Sequence, residues 1–148
     1  MARGIGSPGS STLLQVSGAD PAAGVEVSQT VPAGMIWELI SVSVVLVQGI
    51  TDQPQPMLTI DDGGTNVIFE SFGSTTFQAV STTCRYTWAA DLVMTGQVGA
   101  TTNVHSIAPL PEELLLKGGY RIRTTTIGLT ATGNYGVPSF YVVQYNAG

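Results

Sequence analysis

From Val25 onward, apolar and polar positions alternate with a period of two, the repeat of strands that bury one face. Val25 and Val27 alternate with Glu26 and Ser28, and Val31-Pro32-Ala33-Gly34 then supplies a turn. The strongest strand runs over residues 35–47. Its even positions, Ile36, Glu38, Ile40, Val42, Val44 and Leu46, make an almost wholly aliphatic face that points to a core. Its odd positions, among them Trp37, Leu39, Ser41 and Ser43, make a mixed face suited to a second layer or another subunit. Residues 48–56 carry Gly49, Asp52, Pro54 and Pro56 and read as a loop. Short strands at 57–60 and 66–72 are joined through Asp61-Asp62-Gly63-Gly64, where Asp and Gly supply the positive φ of a tight hairpin. Alternation returns at 77–88, with Val80, Thr82, Cys84, Tyr86 and Trp88 on one parity, and further strands fit 97–107, 120–129 and 137–145.

Two stretches leave that pattern. Pro111-Glu112-Glu113-Leu114-Leu115-Leu116-Lys117-Gly118 has proline first, acids early, lysine late and glycine after, the order of a short helix. The same residues fit a loop leading into a Leu-rich strand. Residues 1–24 are rich in Gly, Ser, Ala and Pro around one apolar patch of Leu13, Leu14 and Val16. They read as an extended N-terminal arm, either a loose leader or an arm whose Leu13 and Val16 dock onto a neighbouring subunit. The chain therefore divides into an arm, 1–24, and one domain, 25–148. About eight short strands separated by turn signals predict an all-β antiparallel β-sandwich of the jelly-roll type, with an immunoglobulin-like sandwich as its rival.

Composition narrows the chemistry. The 148 residues include a single lysine, a single histidine and a single cysteine, and charged residues make up 10%, against roughly 25% in an ordinary soluble domain. Most enzyme mechanisms need His, Cys, Lys or clustered carboxylates, so the expectation is a non-enzymatic structural or binding protein without a cofactor. A surface with few charges is one that another surface usually covers. The net charge is −5, and the only cations are Arg3, Arg85, Lys117, Arg121 and Arg123. No basic stripe for phosphate exists, which argues against nucleic acid as a partner. Cys84 alone forms no intrachain disulfide. The N-terminus lacks the apolar run of a secretory leader, and the stretch from Ile36 to Val47 is broken by Glu38, Ser41 and Ser43. It is too short and too polar to span a bilayer, so a protein made in a cytoplasm and off the membrane is expected.

Candidate motifs are few. Gly4-Ile5-Gly6-Ser7-Pro8-Gly9 has the letters of a dinucleotide fingerprint but neither the preceding strand nor the following helix that grips a pyrophosphate. Asp61, Asp62 and Asn66 bring oxygen ligands close enough for a hard cation, but a plain hairpin turn explains them without a metal and too few further oxygen ligands lie nearby, so no metal is expected. His105 lies beside Ser106, yet no strained nucleophile turn occurs anywhere, and one histidine is too few for a cupin metal site. Trp37, Trp88, Tyr120, Tyr135, Tyr141 and Tyr145 either form a sugar platform or fill the core. Arg121 and Arg123 flank Ile122 and project together, suited to carboxylates of a neighbouring chain or to solvent.

One resemblance emerges from these residues. Val31-Pro32-Ala33-Gly34-Met35-Ile36-Trp37-Glu38-Leu39-Ile40-Ser41-Val42-Ser43 resembles the opening strand of small jelly-roll proteins on tailed-bacteriophage virions. Leu110-Pro111, Leu114-Leu115-Leu116 and Gly119-Tyr120-Arg121-Ile122-Arg123 continue the similarity. So does the ending, Gly133-Asn134-Tyr135 and Phe140-Tyr141-Val142-Val143-Gln144-Tyr145. The resemblance implies a capsid decoration (cement) protein, usually trimeric, that clamps adjacent major capsid subunits and stabilises the head. It carries no catalytic residues. It makes Leu13, Leu14 and Val16 the first candidates for partner contact, with Arg121, Arg123 and Tyr145 after them. A tail-fibre or adhesin-like module that binds host-surface glycan through exposed aromatics is the alternative, and the two diverge on whether Trp37 and Trp88 are exposed.

Overall fold

A computed structural model describes residues 11–147. Twelve strands form two sheets, and no helix occurs among the described residues. The first sheet has the order β1-β12-β3-β6-β8-β7, from β1 (Thr12–Ser17), β12 (Ser139–Asn146), β3 (Met35–Val47), β6 (Thr83–Ala89), β8 (Asn103–Pro109) and β7 (Val98–Ala100). The second has the order β2-β10-β4-β5, from β2 (Ser28–Thr30), β10 (Arg121–Thr124), β4 (Met57–Asp61) and β5 (Val67–Phe72). Two short strands complete the first sheet. β3 outruns its neighbours: β9 (Leu115–Lys117) continues the edge that β6 leaves, and β11 (Asn134–Tyr135) continues the edge that β12 leaves.

The connectivity identifies the sandwich. With β7, β8, β9 and β11 set aside, eight strands remain. In chain order the first pairs with the eighth, the second with the seventh, the third with the sixth and the fourth with the fifth, all antiparallel. That is one long hairpin wrapped about a core, the jelly roll. β8 is an addition that pairs with β6 in parallel, so the expected all-antiparallel ladder has one exception. The chain leaves β6 through residues 90–97, turns at β7 and returns alongside β6 in the same direction.

The core lies between the two sheets and includes Val42, Val44, Leu46, Leu58, Ile60, Trp88, Ile122 and Phe140. Tyr86 stacks on Trp88, with ring centroids 6.2 Å apart. The Tyr86 hydroxyl donates to Gln78 Oε1 at 2.8 Å, and Gln78 Nε2 donates to the carbonyls of Leu46 (2.9 Å) and Thr82 (3.0 Å). Burial pushes the Tyr86 phenol far above its usual range, and it pushes the Cys84 thiol up to about 11. Cys84 is thus an inert core residue.

Several sequence expectations change in physical detail. The alternation in β3 switches phase at Ile40, because Ser41 pairs with Tyr141 while Leu39 pairs with Val142. This extra residue is a β-bulge, and it turns Trp37 and Leu39 into the core while Ile40 points out, 38% exposed. The aliphatic even face therefore holds only from Val42 to Leu46. Residues 111–118 are a turn followed by β9, not a helix. The strand read at 97–107 is two strands, with Thr101 in the left-handed region at the turn between them. Thr12–Ser17, read as part of a detached arm, is laid on β12 of its own sheet over six consecutive pairs. The folded unit therefore starts well before residue 25. Residues 1–10, which hold Arg3 and the glycine-rich fingerprint match, lie outside the described residues.

Candidate functional site

The two sheets present outward faces of different kinds, and both follow from strand alternation. On the four-stranded sheet, Asp61 ends β4 directly opposite Arg121 of β10, and Arg123 lies one cross-strand step away. Arg121 Nε donates to Asp61 Oδ1 at 2.9 Å, Arg121 Nη2 to Oδ2 at 3.1 Å and Arg123 Nε to Oδ2 at 2.6 Å. The Gly63 amide adds a fourth donor to Oδ1 at 2.8 Å. Burial alone raises the Asp61 carboxyl, but these donors outweigh it and hold it at about 2 instead of 3.8. Asp61 is 1% exposed although it points away from the core, because the arginine stems cover it. Thr59 is buried beside it and bonded to the Thr125 hydroxyl at 2.6 Å.

This arrangement settles two candidates. Arg121 and Arg123 do project together, but the carboxylate that they hold is in their own chain. The carboxylates of Asp61 and Asp62 are both engaged as hydrogen-bond acceptors, Asp61 by the arginines and the Gly63 amide and Asp62 within the turn. Asp62 accepts from the Gly64 amide (2.8 Å) and from Asn66 Nδ2 (2.6 Å), and Asn66 with Gly64 draws its carboxyl below the usual range. Gly63, at φ +84°, is required by the turn, since a Cβ there would collide with the Gly119 carbonyl.

The outward face of the eight-stranded sheet is built differently. Register places Ser17, Ser139, Ser43, Thr87 and Ile107 in one row across five strands. Gln15, Tyr141, Ser41, Ala89 and Pro109 form the next row. Tyr141 is the one ionisable side chain in these two rows; Arg85 and His105, cross-strand neighbours, lie in the row beyond them, and Glu38 and Lys117 share the face at the opposite end of β3. Arg85 Nη1 donates to the Ser43 hydroxyl at 3.0 Å, and His105 Nε2 bonds Asn103 Oδ1 at 2.9 Å. Short neutral side chains make the surface flat, and Tyr141 at 42% exposed stands out from it. Such a face has hydroxyl donors and acceptors, methyl groups and almost no charge to desolvate. It suits another protein surface.

No reacting constellation accompanies it among the described residues. His105 and Ser106 point to opposite faces of β8, with the Ser106 hydroxyl donating inward to the Gly73 carbonyl at 2.6 Å. No cluster of metal-ligating side chains occurs among the described residues. An open groove of about 460 Å³ beside the start of β3 is lined by Gly34, Met35, Ile36, Gly118 and Gly119, with Lys117 its one ionisable side chain. Glu112 is raised by its hydrogen bond with Asp91, in an exposed acidic turn. No helix among the described residues is long and apolar enough to cross a membrane.

The remaining predicted contacts divide. Leu13 is 61% exposed on the outer face. Leu14 and Val16 turn inward and pack against the core of their own chain, so they are not a free docking patch. The Tyr145 hydroxyl donates to Glu38 Oε1 at 3.1 Å. Trp37, Trp88 and Tyr135 are fully buried, which takes both tryptophans and one tyrosine out of the aromatic platform, and of the six Tyr141 is exposed. Trp37 Nε1 is held by Gln144 Oε1 at 2.9 Å. Sequence reasoning placed Asp61 in a turn or at a cation and missed it as the acceptor for Arg121 and Arg123, although their joint projection was a signal that a carboxylate faced them.

No family model matches the sequence, and no curated protein matches it. Among solved structures, the chain is similar to one in the structure of infectious bursal disease virus, Gx strain, at 8% identity and a TM-score of 0.34. The alignment covers 92% of this chain and 41% of that one, so the chain spans less than half of its structural neighbour.

Proposed function

We propose that this chain is a non-enzymatic structural protein of a virion, a capsid decoration protein that stabilises a phage head. The observation that carries the proposal is the centre of the outward face of the eight-stranded sheet, two rows that are hydroxyl-rich and free of charged side chains. A face of that composition loses little on desolvation and gains from burial, so it favours contact with like subunits. The phage-virion resemblance of residues 31–145 supports the same reading and suggests a homotrimer. On a capsid lattice, many modest contacts of this kind add through effective concentration, which suits a shell under internal load. The major capsid protein is the partner in this reading. Leu13, at the rim of the face, is the first of the predicted contact residues to test. Leu14 and Val16 are partly buried against their own core, Arg121 and Arg123 are held by Asp61, and Tyr145 is tied to Glu38.

Light scattering on the purified protein is expected to give a trimer mass. Added to expanded heads of its phage, the protein is expected to bind at saturating, symmetric occupancy and to delay heat release of DNA. A monomer that leaves heads unbound while retaining on a host-surface glycan overturns the proposal in favour of an adhesin. Removal of residues 1–24 is not a clean test of arm docking, because it deletes β1 from the sheet.

A further inference from the structure

The four outermost strands of the two sheets are β1, β7, β2 and β5, and three of them are guarded. β7 and β2 are three residues each, and Gly99 in β7 sits at φ +121°. β5 carries Glu70 and faces a register shift at Ile60/Asp61. Short length, charge and irregularity are the devices by which edges avoid pairing. β1 has none of them. Thr12-Leu13-Leu14-Gln15-Val16-Ser17 has no charge, no proline and no glycine, and it runs six residues without a bulge, roughly 20 Å.

The outer side of β1 offers a row of backbone amides and carbonyls whose natural complement is another extended strand. Its side chains indicate which strand. In a sheet continued across a two-fold axis, residues that face each other must share a face, so their numbers must sum to an even value. With the axis through Gln15, Leu14 of each copy lies opposite Val16 of the other, both on the inner face. Leu13 then lies opposite Ser17, and Gln15 opposite Gln15, on the outer face. Leu14 and Val16 are only partly buried by their own chain, so in this register each copy completes the cover that the other lacks. From this self-complementarity we infer that β1 is a docking edge for β1 of a second copy, antiparallel, with the two-fold through Gln15. One five-residue ladder, residues 13–17 of each copy, is small beside the roughly 1,200–2,000 Å² of a stable interface, so the contact is reversible and concentration-dependent in solution. It runs along the edge of the sheet, not across its outward face, although Gln15 and Leu13 belong to both, and it does not rest on the virion reading.

Charge at the axis tests the register. Gln15 is exposed, with one surface hydrogen bond to the Ser139 hydroxyl, so its replacement leaves the fold in place. Sedimentation velocity over a hundredfold concentration range is expected to show the protein's mass doubling in one reversible step. Gln15→Lys and Gln15→Glu are each expected to shift that step at least tenfold upward in concentration, and an equimolar mixture of the two to restore it. Cross-linking gives a second measure, because Cys84 is buried and contributes no reactive thiol. Oxidised Gln15→Cys is expected to form a covalent dimer, since Cβ atoms directly opposite lie about 4.5–5.5 Å apart. Ile50→Cys, at an exposed loop position, serves as the control. The inference is overturned if the mass does not double, if the mixture fails to restore association, or if Gln15→Cys cross-links no faster than Ile50→Cys. Ser41→Lys on the outer face is expected to leave the doubling intact, which separates this contact from the proposed subunit face.

Discussion

On the outside of the four-stranded sheet, one buried carboxylate holds two arginines and a turn amide. On the outside of the eight-stranded sheet, two full rows of residues cross five strands with no charged side chain. Both are solvent-side faces of the same sandwich, and the chain has only five cations to distribute between them. Two of the five are fixed on the smaller sheet, where they close a polar layer over Thr59 and Asp61. On the larger face the two central rows carry no charged side chain, and Arg85 and Lys117 lie toward opposite ends of it. The difference teaches that scarcity of charge is not uniform over this protein: one face pairs its charges within the chain, and the other has a charge-free centre, which is the surface that the proposed function assigns to a partner.

Removing the hub of the charge-paired face should have the largest effect. Asp61→Ala leaves Arg121 and Arg123 facing each other and frees the Gly63 amide. Loss of one partner from a buried ion pair costs 3–5 kcal/mol, and the partial exposure of both arginines lowers that figure, so about 3 kcal/mol is expected. Urea unfolding measures it. A cost under about 1 kcal/mol would mean that the arginines rehydrate freely and that the face is not closed in the sense argued here.

Acid probes the same face more gently. The Asp61 carboxyl is depressed, about 2 in the fold against an ordinary 3.8, so its contribution is complete above pH 4 and fades as pH falls toward 2. The shift corresponds to about 2 kcal/mol. Asp61→Asn removes that titration. The stability of the parent chain should fall more steeply than that of the variant between pH 4 and pH 2, as followed by urea midpoints at each pH. Parallel curves would sink the assignment.

The legibility of the sequence follows the same division. Strand alternation and turn residues located most of the sandwich, since burial on one face imposes a period of two directly. The phase change at Ile40 was not legible, because a bulge is set by pairing with Tyr141 and Val142, about a hundred residues away. The parallel β6·β8 pair and the place of β1 beside β12 are likewise long-range choices that local pattern does not encode. Arg121 and Arg123 were correctly placed on one face, but the identity of their acceptor depended on β4 pairing with β10. The aromatics were ambiguous for a related reason: Trp37 lies on the outward parity of β3 until the bulge reverses it.

Gln48 makes a smaller contrast with Asp61. Both are buried polar side chains outside the apolar core, but the Gln48 amide has no hydrogen-bond partner among the described residues at 3% exposure. A buried amide without partners carries a desolvation cost that an apolar side chain of similar shape avoids. Gln48→Met is therefore expected to raise the unfolding free energy by about 1 kcal/mol, with a matching rise in thermal midpoint. A loss of stability of that size would show that the amide is satisfied and that this end of the sandwich is as complete as the Asp61 face.

The smallest change in stability should come from the face that carries the functional proposal. Ser41 and Thr87 lie on the outer face of β3 and β6, away from the core. Ser41→Lys with Thr87→Lys is expected to alter unfolding free energy by less than about 0.5 kcal/mol, because neither side chain fills a cavity or completes a buried network. The same pair places two charges in the centre of a surface that, as a subunit contact, excludes water. Light scattering should then find the trimer reduced to monomers while circular dichroism and urea midpoints stay where they were. That split between unchanged folding and lost assembly is what a partner-binding face predicts. A variant that still assembles moves the contact elsewhere on the molecule, and one that unfolds shows that the face serves the fold after all.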